Sequence, residues 1–423
     1  MLEIQKKLSN TFYSILSLPA TAMGFALSIQ IAALSWLMRT KYNLDLHEIG
    51  FVWAAGPLAG IIGQPIVGLV SDNVWFWGGR RRPFILIGAT LAALMLFALP
   101  NIDSISSFFG ISNIIIVAVI VALTLDLAIN VSFNPTRSII ADVTPDGVPR
   151  TKGYTWMQTI SGSFGVLAYA IGAIFGNYFL IYFGVILVLV FSIIPILFIK
   201  EPRELKTSLS SESAVVESKT DWSQFLKLLF AHSFSWIGVQ TMFVYMIGYV
   251  EQKLNPSTPD ETGQILSISF LILNAVGALL PALVLEPITE KIGRVKTHLS
   301  AVAIMSLGYF GIVLFGKSSI LVWSLMAVCG IGWAAIVSLP FAIMSEKVNK
   351  NRMGLFMGIF NLSVVLPQLF VSLVLGTFVQ NSGDKNLIFI ISGVTLLTSS
   401  LLWFMVKDSP VNSKQSVKMQ SGH

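Results

Sequence analysis

Charged residues and cysteine are scarce in this 423-residue chain. Only 11% of its residues are charged, whereas soluble domains average roughly 25%. The mean hydropathy of +0.77 is too apolar for a protein that stays in water. The single cysteine, Cys329, cannot form an internal disulfide. The composition therefore excludes a soluble enzyme, a secreted disulfide scaffold and a disordered protein.

Motifs that would indicate catalysis or a bound cofactor are also missing. The sequence has no phosphate-binding loop G-x-x-x-x-G-K-[ST], no H-E-x-x-H zinc motif and no G-x-S-x-G nucleophile elbow. No cluster of Cys and His residues has the spacing of a metal site. We therefore expect no enzyme, no metal and no cofactor, and no direct use of ATP.

Long apolar segments fill most of the chain. A helix needs about 20 apolar residues to cross a bilayer, and continuous apolar runs favour helices because the strands of a membrane barrel would alternate. The sequence predicts an all-α integral membrane protein with twelve transmembrane helices. The segments lie at residues 14–38, 48–71, 83–101, 111–136, 154–175, 177–199, 228–250, 263–286, 297–316, 319–344, 354–379 and 387–406.

A polar stretch rich in Ser, Glu and Lys divides the twelve helices into two sets of six. It covers residues 200–223 and is typical of a flexible linker. The predicted organisation is a six-helix bundle at 1–199, the cytoplasmic linker, a second bundle at 224–407 and a polar cytoplasmic tail at 408–423.

Basic residues are unequally distributed between the two sides of such a chain. With the amino terminus in the cytoplasm, 22 of the 27 Lys and Arg fall on the cytoplasmic side. Cytoplasmic loops are enriched in these residues, so both termini are predicted to be cytoplasmic. The same bias explains the formal charge of +6 without a nucleic-acid partner. The opposite side holds Arg39, Lys41, Lys253, Lys317 and Lys385.

The two halves share a sequence pattern. An acidic residue, a turn with glycine and a basic cluster follow the second apolar segment and again the eighth. A proline precedes an acid by six or seven residues near the ends of the fourth and tenth. Such repeats predict two pseudo-symmetric bundles around a central cavity. The residues are Asp72 with Arg80, Arg81 and Arg82, Glu290 with Arg294, Pro135 with Asp142, and Pro340 with Glu346.

The first of these loops, G-x-x-x-D followed by G-R-R-R, resembles the loop signature of the major facilitator superfamily. That resemblance implies the major facilitator fold and a cytoplasmic latch, in which charges at helix ends pair and then separate as the halves rock. A plain cluster of cytoplasmic basic residues is the alternative. The implied latch residues are Asp72, Arg80, Arg81, Arg82, Glu290 and Arg294.

A narrower resemblance rests on sequence runs in both halves. These runs are similar to plant sucrose/proton symporters and animal proton-associated sugar transporters, within the glycoside–pentoside–hexuronide cation symporter group. The resemblance implies proton-coupled uptake of a disaccharide such as sucrose or maltose by alternating access. The runs are GPLAGIIGQPIVGLVSDNVWFWGGRRRPFI at 56–85, LDLAIN at 125–130, GIGWAAIVSLPFAIMSE at 330–346 and MGIFNLSVVLPQ at 357–368.

One carboxylate, Asp126, lies in the middle of the fourth apolar segment. An acid at bilayer depth is costly and indicates a functional site, and burial lets it take up and release a proton near neutral pH. Asn130, one helical turn on, is placed to hydrogen-bond this carboxylate. Arg137 lies about 16 Å along the axis, too far to pair with Asp126, and could guard the cytoplasmic mouth.

In the resembling symporters, an Asp and an Arg at this spacing are tied to proton coupling, which implies that role for Asp126 and Arg137. A structural contact between helices is the alternative. The seventh segment departs from the family, because it reads FVYMIG at 243–248 where the relatives carry acids, and Glu251 follows only at the outer mouth. An uncoupled or sodium-coupled facilitator therefore remains an alternative.

Sugar binding requires side chains that hydrogen-bond hydroxyl groups and an aromatic face for the ring. Amide and aromatic side chains in the apolar segments include Trp36, Gln158, Trp236, Asn274 and Gln368. Helices one, four, seven and ten usually line the cavity in the superfamily, with contributions from five and eleven. For each residue, a helix–helix contact or an interface anchor is the alternative. We favour Gln30, Asp126, Asn130, Gln240, Trp333 and Asn361 as substrate-binding residues.

Two other functions fit the sequence less well. An exporter of small organic compounds would have a more apolar cavity, and a nutrient sensor usually carries a long cytoplasmic domain. We expect a monomer in the inner, or plasma, membrane, and its partners are a small sugar, a proton and the lipid bilayer.

Overall fold

The computed structural model describes residues 3–61, 63, 74–145, 148–202, 220–349 and 352–408, and nearly all of these are helical. After one turn at Glu3–Lys6, twelve long segments follow, as predicted. They are α1 (Asn10–Thr40), α2 (Leu46–Trp53, resuming at 55–61), α3 (Arg82–Ala98), α4 (Ile114–Val143), α5 (Val148–Phe175), α6 (Asn177–Phe198), α7 (Trp222–Tyr249), α8 (Pro259–Leu280), α9 (Arg294–Phe315), α10 (Ser319–Ser345), α11 (Met353–Phe370) and α12 (Asn386–Trp403).

Shorter helical pieces extend four of these helices. A 3₁₀ turn and a short helix continue α3, and π-helical turns follow α7, α8 and α11, so the axis of each helix shifts near its end. The pieces are Leu99–Asn101 and Ile102–Phe109 after α3, Val250–Leu254 after α7, Pro281–Leu285 and Glu286–Ile292 after α8, and Val371–Leu375 and Gly376–Asn381 after α11.

Short polar side chains fix where several helices begin. Ser9, Asp221, Thr258 and Ser318 each accept a hydrogen bond from the backbone amide three residues further on, in the first turn of the following helix. The cap at Asp221 starts α7 at Trp222, inside the predicted linker and six residues before the predicted apolar segment. Residues 203–219 of that linker and the tail from 409 onward lie outside the described residues.

Ten of the helices are long and apolar enough to cross a bilayer. Large apolar side chains point away from the protein on their outer faces, as at Phe97, Ile186 and Leu401, which would be costly in water but not in lipid. The other two helices are α2 and α7. Every residue of α7 from Gly238 to Tyr249 is buried, so that part of the helix is surrounded by protein. The chain is a multi-pass membrane protein.

The two halves repeat one packing arrangement. In the first half, α1 packs against α5 and α6, and α3 packs against α4 and α6. In the second half, α7 packs against α11 and α12, and α9 packs against α10 and α12. The predicted pseudo-symmetric bundles are therefore confirmed.

Both ends of the described chain lie on one face of the molecule, here called the terminal face. Gln5 donates from Nε2 to the backbone oxygen of Lys200 after α6 (2.9 Å), and Asp408 accepts from the backbone nitrogen of Val295 at the start of α9 (3.1 Å). The opposite face is here called the distal face. An even number of crossings explains why the two ends share a face.

The two halves meet near the distal face, where α5 packs on α8 and α2 packs on the end of α11. Polar contacts between the halves accumulate there. Ser35 on α1 donates to the backbone oxygen of Val244 on α7 (2.9 Å), and Arg39 pairs with Glu251 just beyond α7 (3.0 Å). The ion pairs described at the terminal face stay within one half. The space between the halves is therefore closed distally.

Candidate functional site

A cavity of about 310 Å³ lies between the halves near their centre. Helices α1, α2 and α4 form one wall, and α7, α10 and α11 form the other. All six residues predicted to bind substrate line this one cavity, although they are spread over five helices. They are Gln30, Asp126, Asn130, Gln240, Trp333 and Asn361.

The carboxylate of Asp126 sits in the wall of the first half and is 5% exposed. Gln30 on α1 donates from Nε2 to its Oδ2 (2.9 Å). Gly56 on α2 faces the same group, and a Cβ added there would come within 3.3 Å of Oδ2. The absence of a side chain at Gly56 gives α2 room to pass close beside the carboxylate.

Asn130 differs from its prediction in one respect. Its Nδ2 donates to the main-chain oxygen of Asp126 (2.8 Å), whereas the sequence predicted a bond to the carboxylate. A side chain four residues on in a helix readily reaches the carbonyl of the preceding turn. Asn130 still lines the cavity, as predicted.

Amide side chains also line the wall that the second half contributes to the cavity. Gln368 on α11 donates from Nε2 to Oε1 of Gln240 on α7 (3.3 Å), and both residues line the cavity. Gln368 was not among the six favoured residues. Its spacing of seven from Asn361 places both amides on one face of α11, and this spacing could have identified it.

Aromatic rings complete the second-half wall. The ring of Trp333 stands edge-on to Trp236, with centroids 6.1 Å apart, and to Phe243 at 5.5 Å. Its Nε1 donates to Oδ1 of Asn274 on α8 (3.1 Å). Across the cavity lies Trp53, which the sequence reasoning missed and whose Nε1 donates to Oγ of Ser35 (2.8 Å). These rings offer apolar faces beside the amides.

Arg137 lies closer to the terminal face than Asp126 on the same helix. Its guanidinium carbon is 4.5 Å from the ring centre of Phe133, and Phe133 lines the cavity. The hydroxyl of Tyr154 donates to the backbone oxygen of Arg137 (3.2 Å). This placement agrees with the expected separation from Asp126 and puts a cation near the mouth of the cavity.

The predicted latch residues of the first half meet acids that the latch prediction did not name. Asp72 lies outside the described residues. The carboxylate of Glu201 accepts from the backbone nitrogens of Arg80, Arg81 and Arg82 at 2.7 to 2.8 Å, which caps the start of α3. The side chain of Arg81 pairs with Asp142 at the end of α4, with Nε to Oδ2 at 3.0 Å.

The second half repeats this ion pair. Arg294, at the start of α9, pairs with Glu346 at the end of α10. Glu346 and Asp142 are the two acids that the sequence repeat matched, so the two halves share an equivalent ion pair as well as a sequence pattern. Glu290 is exposed one turn before Arg294.

The described residues contain no group of three or more His, Cys, Asp or Glu side chains placed to hold a metal ion. What the central cavity offers instead is one carboxylate, five amides and several aromatic rings. Such a set can hydrogen-bond a polar ligand, stack against an apolar ring face and bind one proton.

Comparison with known proteins identifies the class. Residues 16–372 match the model of the Major Facilitator Superfamily. The match covers most of the chain, so this protein belongs to that superfamily of membrane transporters, and it is not an enzyme.

Two sucrose transport proteins are similar to this chain along most of their length, and an alpha-glucoside permease is similar over a shorter part. The sucrose transport protein SUT2 of Oryza sativa subsp. indica is 26% identical over 443 aligned positions, covering 86% of this chain and 87% of the relative. The sucrose transport protein SUC4 of Arabidopsis thaliana is 26% identical and covers 87% and 84%. The general alpha-glucoside permease of Schizosaccharomyces pombe is 30% identical over 174 positions, 37% of this chain and 31% of that permease.

Solved structures share the fold. The inward open conformation of the xylose transporter XylE from E. coli superposes with a TM-score of 0.70 at 15% identity and covers 97% of this chain and 99% of that one. At this identity the likeness establishes architecture alone. It agrees with the major facilitator fold of this chain.

Proposed function

We propose that this protein takes up a glycoside, a disaccharide of the sucrose or maltose type, together with a proton, by alternating access. The observation that carries the proposal is the convergence of Gln30, Asp126, Asn130, Gln240, Trp333 and Asn361 on one cavity. The sucrose and alpha-glucoside transporters among its relatives support the substrate class.

The lining of the cavity suits a sugar. Every sugar hydroxyl both donates and accepts, and an amide side chain does both as well. Gln240 and Gln368 face Gln30 and Asn130 across the cavity, so hydroxyls on two edges of a ring would find partners. The rings of Trp333 and Trp236 would cover the apolar face of the sugar. A drug-exporting cavity would offer fewer amides.

Asp126 is the group proposed to carry the proton. A carboxylate at this depth is costly as an ion, and within the described residues its hydrogen-bond partner is the neutral amide of Gln30. Binding a proton removes that cost. Sugar and proton would then be bound in the same cavity, a few ångströms apart, so occupancy by one changes the environment of the other.

The same proposal includes orientation and gating. The basic bias of the loops supports a cytoplasmic terminal face in the inner or plasma membrane, and in that orientation the described state would face inward. The pairs Arg81–Asp142 and Arg294–Glu346 lie where a cytoplasmic latch would act. Arg137 would guard the cytoplasmic mouth of the cavity. One chain supplies the whole site, so a monomer suffices.

The test is a sugar-induced pH change in proteoliposomes that contain the purified protein. External alkalinisation with sucrose or maltose is expected, and it should be absent in Asp126→Asn. Asp103→Asn alters an exposed carboxylate in the short helix Ile102–Phe109, where it pairs with Lys41 (3.6 Å) far from the cavity. It is the matched control and should behave as wild type. Normal sugar accumulation by Asp126→Asn would contradict the assignment.

A sodium-coupled or uncoupled facilitator is the second candidate. It is favoured by α7, whose segment 243–248 is buried and carries no acid. Labelled sugar that enters without any pH change, and whose uptake depends on sodium or on its own gradient, would establish this candidate instead.

A further inference from the structure

A second cavity, of about 300 Å³, lies beside the first. Helices α1 and α5 form one wall, and α8 and α10 form the other. Trp333 lines both cavities and is the partition between them. The polar side chains of the second cavity are Ser28, Gln158, Ser161, Tyr169 and Asn274.

The side chain of Trp333 is held on several sides. Its indole nitrogen is bonded to Asn274, and its ring is edge-on to Trp236 and Phe243. On α8, Gly277 leaves room for the ring, because a Cβ there would come within 2.6 Å of Cδ1 of Trp333. A ring held in this way presents its surfaces to both cavities in a fixed position.

The second cavity has polar groups available to a ligand. The side chain of Gln158 is exposed to it and has no hydrogen-bond partner within the described part of the chain. Ser161 donates weakly to the backbone oxygen of Ala20 (3.3 Å), which leaves its oxygen able to accept. Amide and hydroxyl groups next to an indole repeat, on a smaller scale, the chemistry of the first cavity.

We propose that this second cavity binds the second ring of a two-ring glycoside, while the first ring lies beside Asp126 in the first cavity. The inference rests on the proposed function. Each cavity is near the lower end of the range of about 300–1,000 Å³ for ligand sites, so a single sugar ring needs only one of them. A two-ring sugar extends past Trp333 into the other.

Two glycines allow each cavity to be filled separately. Gly60 on α2 lines the first cavity, and Gly162 on α5 lines the second. A Cβ added at either glycine would meet nothing within 4 Å. Leucine at these positions therefore enters open space, and leucine also favours a helix more than glycine does. Gly60→Leu and Gly162→Leu form a matched pair.

The experiment measures uptake of a labelled two-ring sugar, sucrose or maltose, and its inhibition by a single-ring competitor, methyl α-glucoside. In Gly162→Leu, we expect at least a tenfold rise in the KM for the two-ring sugar and an inhibition constant for the single-ring competitor within twofold of wild type. In Gly60→Leu, both constants should rise tenfold or more. Gln158→Leu should also raise the KM for the two-ring sugar, by a smaller factor than Gly162→Leu. Thr159→Val alters a residue next to Gln158 that does not line the cavity, and it should leave both constants unchanged.

Three results would overturn the proposal. The first is a normal KM for the two-ring sugar in Gly162→Leu. The second is an equal rise of both constants in that variant. The third is a wild-type protein that transports the two-ring sugar but does not bind methyl α-glucoside, because the first cavity must accept one ring alone. If wild type takes up no glycoside at all, the proposed function itself has failed, and the variants are not needed to show it.

Discussion

The two halves of the molecule have the same packing but opposite chemistry at the central cavity. The wall from α1, α2 and α4 carries the one described carboxylate of the cavity, Asp126, with an amide bonded to it. The wall from α7, α10 and α11 carries amides and most of the indole surface, and no acid. On the proposed function, the duplicated scaffold would separate a proton-binding wall, formed by α1, α2 and α4, from a ring-binding wall, formed by α7, α10 and α11. Changes confined to one wall should affect one activity more than the other.

The largest expected effect is on thermal stability, and it concerns the equivalent ion pair that each half contains. Arg81 and Asp142 have side chains only 7% and 11% exposed, whereas Arg294 and Glu346 are 45% and 36% exposed. Removing one partner of a buried pair costs about 3 kcal/mol or more, and an exposed pair is worth about 0–1 kcal/mol. Arg81→Gln should therefore lower the unfolding temperature in detergent clearly, and Arg294→Gln should barely change it. Equal losses would contradict this comparison.

Next in size is the ring-binding wall. Trp333→Ala removes the indole that borders both cavities, and an aromatic platform is worth about 1–3 kcal/mol. We expect the KM for sugar to rise roughly tenfold to a hundredfold, with the number of protons moved per sugar unchanged. Uptake and pH change measured together would show this. Trp77→Ala, at an exposed turn near the terminal face, is the control.

A smaller effect is expected from a substitution in the proposed proton-binding wall. Gly56→Ala puts a methyl group about 3.3 Å from the Asp126 carboxylate, whereas Gly60→Ala, one turn on, meets nothing within 4 Å. We expect the first variant to lose roughly tenfold in proton-driven accumulation and the second to lose little. Counterflow exchange, which needs no gradient, should stay closer to normal in both. Equal behaviour of the two variants would remove Gly56 from this role.

The smallest effect is expected at the distal closure. Arg39 and Glu251 join the halves there, with side chains 34% and 31% exposed. A pair this accessible contributes at most about 1 kcal/mol, so Arg39→Gln should shift the inward–outward equilibrium by only a fewfold. Because the lost pair closes the distal face, Arg39→Gln should favour the outward-facing state and so raise the apparent affinity for external sugar. The double variant Arg39→Gln with Glu251→Gln should add little to either single change.

Much of this structure follows from the sequence alone, because bilayer thickness and the need to satisfy backbone groups leave few choices. Helix positions follow from these constraints, and the twofold repeat follows from the matched motifs of the two halves. The six cavity residues came from their side-chain types and from the cavity-lining helices that the superfamily resemblance implies. Other features depend on distances between helices. The cap of Glu201 on α3 and the placement of Trp53 could not be read from spacing along one helix. The bond from Asn130 to the main-chain oxygen of Asp126 lies within one turn of α4, and its four-residue spacing fits the carbonyl as well as the carboxylate. Trp36, a candidate from the sequence, lies in the distal contact, where its Nε1 donates to the backbone oxygen of Pro259.

The fully buried thiol of Cys329 has a practical consequence for spectroscopy. It is packed between α9 and α10, with its sulfur 3.8 Å from the backbone oxygen of Met305. Maleimide reagents attack accessible thiolates, so the native chain should remain unlabelled. A cysteine placed at Trp77 near the terminal face and another at Phe108 near the distal face, both exposed, would then carry fluorophores or spin labels without any background to remove.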